Sequence, residues 1–256
     1  MNASLTTSFR ARLRRRERLI GAIVSLGIPE VTEILATSGH DWLFLDAEHG
    51  PLATLDLQRM IIGAGGVPCI VRPPNHADVE IKRALDAGAA GILVPQVNTA
   101  AQAAAIVASA KFPPQGQRGV GVSRANGYGY DVGAYVARAN EELAVIVQAE
   151  HVEAVRNIED IVRVPGLDAV FVGPYDLSAS MGKVGQLDDP EVVAAITRVA
   201  EVTLAAGLAL GYFATTPEAV YPRIAQGFSL LACGVDTIFL RQGALRMAEA
   251  LRGAPV

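Results

Sequence analysis

Short apolar runs alternate with helical stretches along the chain, and the alternation occurs eight times from residue 19 onward. Continuous apolar runs of this length are typical of parallel strands that are buried on both faces. The strand ends recur at intervals close to the roughly 30 residues of a strand–helix–strand unit. The predicted strands are 19–26, 42–45, 67–71, 91–94, 143–147, 169–172, 209–213 and 229–233.

Eight such units in a chain of 256 residues predict an α/β protein that forms a single (β/α)8 TIM barrel. We place the barrel domain at 19–256 and a basic N-terminal helix or arm at 1–18. Phe9 and Leu13 lie on the inner side of that helix, which we expect to be solvated elsewhere and to close the bottom of the barrel. A doubly wound open sheet is the alternative, but no Gly-x-Gly-x-x-Gly follows the first strand.

The charge balance favours a small-molecule partner. The chain has 22 basic and 26 acidic residues, a net charge of −4, so a nucleic-acid or membrane-surface partner is not expected. The arginines of 10–18 could form a nucleic-acid arm or a transit peptide, but we prefer the helix. Cys69 and Cys233 have apolar neighbours and no metal-ligand spacing, which indicates free thiols in a reducing compartment. Without a recognisable signal peptide or membrane span, we expect a cytoplasmic protein.

Polar side chains follow several of the predicted strands, where a barrel gathers them into one mouth. Two of these side chains, Glu150 and Asp176, are carboxylates from adjacent strands, a pattern that suits one hard divalent cation with open positions. Arg72 could bind a substrate carboxylate or an enolate oxygen, or it could pair with an acid. The full set is Asp46, Glu48 and His49 from strand two, Arg72 from strand three, Gln148 and Glu150 from strand five, and Asp176 from strand six.

His49 is the one histidine placed to act as an acid or base near neutral pH. His151 could be a third metal ligand, but adjacent residues leaving a strand point apart, so we expect it to face outward. The glycine-bounded segment 173–182 could bind an anion through its backbone N–H groups or could be a tight turn that places Asp176.

Several motifs in order resemble one family, the divalent-metal-dependent (class II) pyruvate aldolases that act on 4-hydroxy-2-oxoheptanedioate and 2-keto-3-deoxy sugar acids. The motifs are DWLFLDAEHG at 41–50, VRP at 71–73, IKRALDAGAAG at 81–91, FPPQGQRG at 112–119, QAE at 148–150 and FVGPYDLS at 171–178.

The resemblance implies a general acid/base at His49, an enolate-stabilising group at Arg72, and Mg²⁺, Mn²⁺ or Co²⁺ on Glu150 and Asp176. It also implies that Gln148 and the backbone around Tyr175 hold the pyruvate unit. Asp46 and Glu48 are expected near the water ligands of the metal. A homo-oligomer, a hexamer by resemblance, is expected, in which Asp86 of a neighbouring subunit raises the basicity of the histidine.

The implied reaction is reversible cleavage of a 4-hydroxy-2-oxo acid to pyruvate and an aldehyde through the pyruvate enolate. The alternatives are another metal-enolate carbon–carbon lyase, including one acting on a thioester, oxaloacetate decarboxylation, or a non-catalytic barrel. Three residues depart from the family pattern: Tyr175, Phe213 and Ala149. The long glycine-rich loop 116–131 could recognise the aldehyde through Arg118 and Arg124, or these arginines could hold a subunit contact.

Overall fold

Eight parallel strands pair in chain order, and β8 pairs back to β1, so that the sheet closes into a barrel. The protein is described by a computed structural model over residues 8–253. The strands are β1 (Leu19–Val24), β2 (Trp42–Asp46), β3 (Cys69–Arg72), β4 (Gly91–Val94), β5 (Ala144–Ala149), β6 (Ala169–Val172), β7 (Ala209–Ala214) and β8 (Leu230–Val235). The predicted (β/α)8 barrel is confirmed.

Strand β1 ends before its predicted limit at residue 26 because the next two backbone N–H groups bind a side chain instead of a strand. The N–H groups of Ser25 and Leu26 both donate to Asp236 Oδ2 at 2.9 Å. The carboxylate of Asp236 therefore ties the loop after β1 to the end of β8, across the closure of the barrel.

Helices follow the strands and surround the barrel. None of those within residues 8–253 has the length and apolar character needed to span a membrane. They are α1 (Phe9–Arg14), α2 (Pro29–Ala36), α3 (Thr54–Gly63), α4 (Asp78–Asp86), α5 (Ala100–Ala110), α6 (Val132–Glu142), α7 (Val152–Arg156), α8 (Ile158–Ile161), α9 (Pro174–Ser180), α10 (Pro190–Ala205), α11 (Pro217–Ala225) and α12 (Asp236–Arg252), with a 3-10 segment at Arg124–Gly129.

Two helices differ from the sequence prediction. The predicted helix 152–162 is split at Asn157, whose side-chain amide donates to the carbonyl of Asn98 at 2.8 Å. The final helix, predicted at 243–251, begins earlier, at Asp236. An acidic residue in the first turn favours that start because it complements the positive end of the helix dipole.

Successive residues of a strand point to opposite faces of the sheet, so the strands contribute to two core layers. One layer fills the inside of the barrel, and the other packs between the strands and the helices. The inner layer includes the rings of Phe44 and Phe171, whose centroids lie 5.9 Å apart in an edge-to-face arrangement. Helix α1 covers the lower end of this layer with Phe9 and Leu13, which are buried beside Trp42. Residues 1–7 of the predicted N-terminal helix, and 254–256 of the predicted barrel domain, lie outside the described residues.

The expectation of a solvated basic helix is wrong for Arg10, which is buried. Its Nε donates to both carboxylate oxygens of Asp168, at 2.8 and 2.9 Å. Arg14 donates to the same carboxylate. Because a buried ion pair resists separation, this contact anchors α1 to the start of β6.

Lys111 is a second buried cation at the lower end of the barrel. Its Nζ donates to the carbonyls of Asn140 and Leu143, at 2.8 and 2.6 Å, and thereby caps the end of α6. Burial lowers the pKa of Lys111 to about 8, and the charge of Arg10 acts in the same direction.

The pKa of Lys111 predicts a pH-dependent stability. Between pH 8 and 10.5 the unfolded chain, with an ordinary lysine pKa, binds more protons than the folded protein. The free energy of unfolding of the wild type, relative to Lys111→Met, should therefore rise with pH across that window. Its slope should approach about 1.4 kcal/mol per pH unit. Urea unfolding of both proteins at several pH values measures it, and a constant difference would contradict the assignment.

Candidate active site

The carboxyl ends of the strands surround a cavity of about 160 Å³. This is the end of the barrel at which (β/α)8 enzymes place their chemistry. The polar lining residues are His49, Arg72, Gln148 and Asp176, and the aromatic lining residues are Phe44, Phe171, Tyr175 and Phe213. The barrel therefore brings together side chains from β2, β3, β5 and β6, as the strand-end pattern predicts.

Arg72 is fixed by a bidentate ion pair with Asp46, which lies beside it on the neighbouring strand. The Nε–Oδ1 and Nη2–Oδ2 distances are 2.9 and 2.7 Å. Oδ1 also accepts the backbone N–H groups of Glu48 and His49. Asp46 therefore holds both the guanidinium and the turn that carries the histidine, and its two oxygens are committed to these contacts.

A second set of contacts continues from Arg72 to Glu150. Arg72 Nη1 contacts Gln148 Oε1 at 3.4 Å, a long hydrogen bond, and Gln148 Nε2 donates to Glu150 Oε2. Glu150 Oε1 accepts the backbone N–H of Gln96 at 2.7 Å. Three side chains on three strands, together with Glu150 directly after β5, thus form one buried network.

The pKa shifts in this network follow burial and charge. Burial raises the pKa of Glu150 to about 7, and the carboxylates of Asp176 and Glu48 add to the rise. Burial also opposes ionisation of Asp46, but its hydrogen bonds with Arg72 and the charge of Arg72 outweigh it, so the pKa of Asp46 lies below its usual range. The carboxylates of Glu150 and Asp176 would thus be stabilised by an added positive charge. Arg72 does not supply all of it, because its guanidinium is paired with Asp46.

His49 stands at the open side of the cavity, with 66% of its side chain exposed. Its Nε2 lies 3.6 Å from Glu48 Oε2, and the same oxygen lies 3.2 Å from Arg72 Nη1. Glu48 therefore lies between the histidine and the arginine. The imidazole is accessible both to a substrate in the mouth and to a group that approaches from outside.

The residues proposed as metal ligands, Glu150 and Asp176, are two carboxylates with few other ligating side chains near them. Within residues 8–253 no three His, Cys, Asp or Glu side chains converge on a common metal position. The chain therefore offers the carboxylates of Glu150 and Asp176, and a hard cation would complete its shell with substrate and water oxygens. A Cβ on Gly173 would lie 2.6 Å from both Glu150 Oε2 and Gln148 Nε2, so only glycine leaves this space open. The set fits one divalent cation.

Other predicted residues lie at the rim or away from the cavity. Tyr175 follows Pro174 in the first turn of α9, and its side chain is largely exposed. His151 is the N-cap of α7, where its Nδ1 accepts the N–H of Glu153. Asp86, at the end of α4, pairs with Arg118 rather than with His49 of its own chain. The segment 173–182 is mainly helix α9, which positions Asp176 near its start.

The arginines of the long loop do not reach the mouth of their own barrel. Arg118 is fully buried against Asp86, so the hypothesis that it reads the aldehyde is wrong for this chain taken alone. Arg124 donates to the carbonyl of Ala87, beside a cavity of about 560 Å³ at the lower end of the barrel. In that cavity Arg138 is paired with Asp131 and Glu142.

Gln96 is a site residue that sequence reasoning missed. It follows Pro95 after β4 and has a positive φ of 54°, a conformation that non-glycine residues seldom adopt. That conformation accompanies the hydrogen bond from its backbone N–H to Glu150. The identity of its side chain does not predict this role, because the contact with Glu150 is made by the backbone N–H.

Replacing Asp46 with asparagine should destabilise the fold, because Asp46 holds both Arg72 and the turn that carries His49. Asn keeps the shape of the side chain but removes the charge that balances buried Arg72. We expect a loss of about 3 kcal/mol of stability, because the single contact of Arg72 with Glu48 at 3.2 Å does not replace a buried bidentate ion pair. Urea unfolding measures this loss. Asp78→Asn is the matched control, since its partner Lys82 is a solvent-exposed neighbour on α4 and no measurable change is expected. Equal stability of both variants would contradict the role of Asp46.

Known proteins resemble this chain over nearly its whole length. A sequence model of the HpcH/HpaI aldolase/citrate lyase family matches residues 20–242. The 2-keto-3-deoxy-L-rhamnonate aldolase of Salmonella typhi is 41% identical over 242 residues, which cover 93% of this chain and 90% of the relative. The hydroxypyruvate/pyruvate aldolase of Chromohalobacter salexigens is 43% identical over 226 residues, 86% of this chain and 88% of the relative.

A solved structure has the same fold. The HpcH/HpaI aldolase/citrate lyase family protein of Burkholderia cenocepacia superimposes with a TM-score of 0.93 at 35% identity, and the match covers 97% of this chain and 100% of that one. The resemblance seen in the sequence motifs is thereby confirmed. This chain belongs to the HpcH/HpaI aldolase/citrate lyase family and is a carbon–carbon lyase of the aldolase type.

Proposed function

We propose that the protein cleaves a 4-hydroxy-2-oxo acid reversibly to pyruvate and an aldehyde, with one divalent cation held by Glu150 and Asp176. The observation that carries the proposal is the convergence of an arginine, a histidine and two carboxylates at the mouth of a barrel of this family. The relatives named as aldolases for 2-keto-3-deoxy-L-rhamnonate and for hydroxypyruvate/pyruvate support an oxo-acid substrate.

The cation, when bound, supplies a Lewis acid that polarises the 2-oxo carbonyl. Arg72 donates a hydrogen bond to the oxygen on which negative charge develops. Its long contact with Gln148 can shift to the substrate, while the pair with Asp46 keeps the guanidinium in place. The side-chain amide of Gln148 lies between Arg72 and Glu150, where it positions the oxo acid beside both residues.

His49 carries the proton in the proposed cleavage. Its imidazole takes the proton of the 4-hydroxyl group, the C3–C4 bond breaks to release the aldehyde, and the electron pair passes into the enolate of pyruvate. Protonation at C3 then gives pyruvate. The exposed position of the imidazole at the open side of the cavity suits contact with the hydroxyl-bearing half of the substrate.

The lysines argue against a Schiff-base mechanism, which requires a free amine at the reacting carbonyl. The chain has three lysines, and none belongs to a strand. Lys82 pairs with Asp78, Lys183 with Asp189, and Lys111 caps α6 at the lower end of the barrel. The chemistry at the mouth therefore depends on the carboxylates, Arg72 and His49.

A homo-oligomer is part of the proposal, and two surfaces support it. Helices α2 and α12 expose Ile34, Leu240 and Met247 around an apolar groove, and exposed apolar patches mark interaction surfaces. Asp86 and His49 are both partly exposed on different parts of the chain, as a contribution of Asp86 to a neighbouring subunit requires. A hexamer is the expected assembly, and light scattering measures its mass.

We further propose a reducing, cytoplasmic location. Cys69 and Cys233 are both free, and burial raises the pKa of each thiol, to about 12 for Cys69. Neither is therefore primed for oxidation.

Product analysis with two substrates tests the reaction class. A 4-hydroxy-2-oxo acid should yield pyruvate and one equivalent of aldehyde, and pyruvate plus the aldehyde should regenerate the acid. Oxaloacetate is the comparison substrate because its decarboxylation needs the enolate but no aldehyde. Rapid decarboxylation without aldehyde release from any of several 4-hydroxy-2-oxo acids would overturn the aldolase proposal in favour of the alternative.

A further inference from the structure

Asp86 forms an ion pair with a buried arginine, Arg118. Arg118 Nη2 donates to Asp86 Oδ1 at 2.6 Å, and the side chain of Arg118 is completely buried. The carboxylate of Asp86 keeps 32% of its side-chain area exposed. Within residues 8–253 no donor contacts Oδ2, so one oxygen is anchored and the other has no hydrogen-bond partner there.

The surroundings of Arg118 leave it little freedom. Its Nη1 donates to the hydroxyl of Tyr135 at 3.1 Å. The guanidinium carbon lies 4.7 Å from the ring centroid of Phe112 and 5.6 Å from that of Tyr135. The guanidinium thus packs against two aromatic rings that meet edge to face, with a single carboxylate partner.

We propose that Arg118 is a positioning residue that fixes the carboxylate of Asp86 toward the His49 imidazole of a neighbouring subunit. This inference rests on the proposed function, in which Asp86 acts across the subunit boundary. A charge-assisted hydrogen bond to one oxygen sets the direction of the other oxygen. The loop 112–119 thereby contributes to catalysis without any of its side chains reaching the substrate.

The ion pair alone does not account for the environment of Arg118. Burying a guanidinium carries a large desolvation penalty, and an apolar side chain packed against the rings of Phe112 and Tyr135 would attach the loop to α6 without it. The Nε of Arg118 is also buried without a partner within residues 8–253. The charge can, however, do what an apolar contact cannot do, which is to orient the carboxylate of Asp86.

A double-mutant cycle tests the inference in the assembled enzyme. Arg118→Met should lower kcat for cleavage by about 10- to 100-fold, as expected for a displaced catalytic contact, and should leave KM nearly unchanged. In an Asp86→Asn background the same substitution should have almost no further effect on kcat, because its action passes through Asp86.

Arg138→Met is the matched control, since Arg138 also lies over the Tyr135 ring but pairs with Asp131 and Glu142. It should leave kcat unchanged. If Arg118→Met fails to fold, Tyr135→Phe removes one anchor of the guanidinium and should show a smaller loss of kcat that is again absent in the Asp86→Asn background.

The outcomes separate the inference from the proposed function. Asp86→Asn with reduced kcat but Arg118→Met at the wild-type rate, or equal losses in both backgrounds, would overturn the positioning role alone. Unchanged kcat in Asp86→Asn would overturn that role together with the contribution of Asp86, and the aldolase reaction would stand. A wild-type enzyme without cleavage would overturn the proposed function and this inference together.

Discussion

Replacing His49 with alanine is expected to lower kcat for cleavage of a 4-hydroxy-2-oxo acid by about 100- to 10,000-fold, the usual contribution of a general acid or base. The site retains Arg72 and Glu150, because neither depends on the imidazole for its contacts. Pyruvate and metal should therefore still bind. Steady-state kinetics and calorimetric titration with Mn²⁺ and then pyruvate measure the two properties separately.

His151→Ala provides the control for this variant. His151 adjoins Glu150 in the sequence, but its ring caps α7 and accepts a backbone N–H, so its removal should leave kcat within about twofold of the wild type. If His49→Ala kept the wild-type rate, the proton would have another carrier and the assignment would be wrong. Loss of metal binding in His49→Ala would instead assign the imidazole to the metal.

Replacing Glu150 with glutamine should weaken the affinity for Mn²⁺ or Mg²⁺ by at least about 100-fold, because one of two protein carboxylates is lost. The change keeps the size of the side chain and can keep the hydrogen bond from Gln96. Activity should fall in proportion at subsaturating metal. Calorimetric titration of the metal-free protein measures the affinity directly.

Glu153→Gln is the matched control, since Glu153 lies in the first turn of α7 and outside the cavity. It removes the same charge from the chain at nearly the same sequence position. Equal metal affinity of Glu150→Gln and the wild type would place the metal elsewhere. Equal weakening by both substitutions would show that net charge, and not coordination, governs binding.

The strands were predictable because parallel strands buried on both faces read as uninterrupted apolar runs. The runs at 91–94 and 169–172 match β4 and β6 at both ends. The strand-end rule predicts that His49, Arg72 and Asp176 share one mouth, and all three line the same cavity. Barrel closure makes such placement reliable, because every strand end belongs to the same mouth.

The contacts within the site were less predictable, because they depend on which neighbours share a network. The prediction that Asp46 and Glu48 lie near the water ligands of the metal stays a prediction. The sequence did not indicate that Asp46 also holds Arg72 and the histidine turn with its two oxygens. The backbone contact of Gln96 with Glu150 is made in a left-handed conformation, which the residue type glutamine does not predict.

Buried charges outside the site were also missed. Arg10 and Arg118 both look like surface residues in the sequence, since arginine is seldom buried without a partner. Their partners, Asp168 and Asp86, are distant in the chain, and only the folded barrel brings each pair together. Long-range ion pairs of this kind leave no local pattern, so the sequence alone places Arg10 in solvent and leaves Arg118 open between the aldehyde and a subunit contact.

Cleavage to pyruvate is proposed to depend on a cation held by the carboxylates of Glu150 and Asp176. The direct test is pyruvate release from a 4-hydroxy-2-oxo acid by metal-stripped protein, measured before and after addition of Mn²⁺ or Mg²⁺. We predict negligible release by the stripped protein and full recovery on addition of the ion, with no recovery in Glu150→Gln at the same concentration. Undiminished release by the stripped protein, or no release in either state across several acids, would contradict the account.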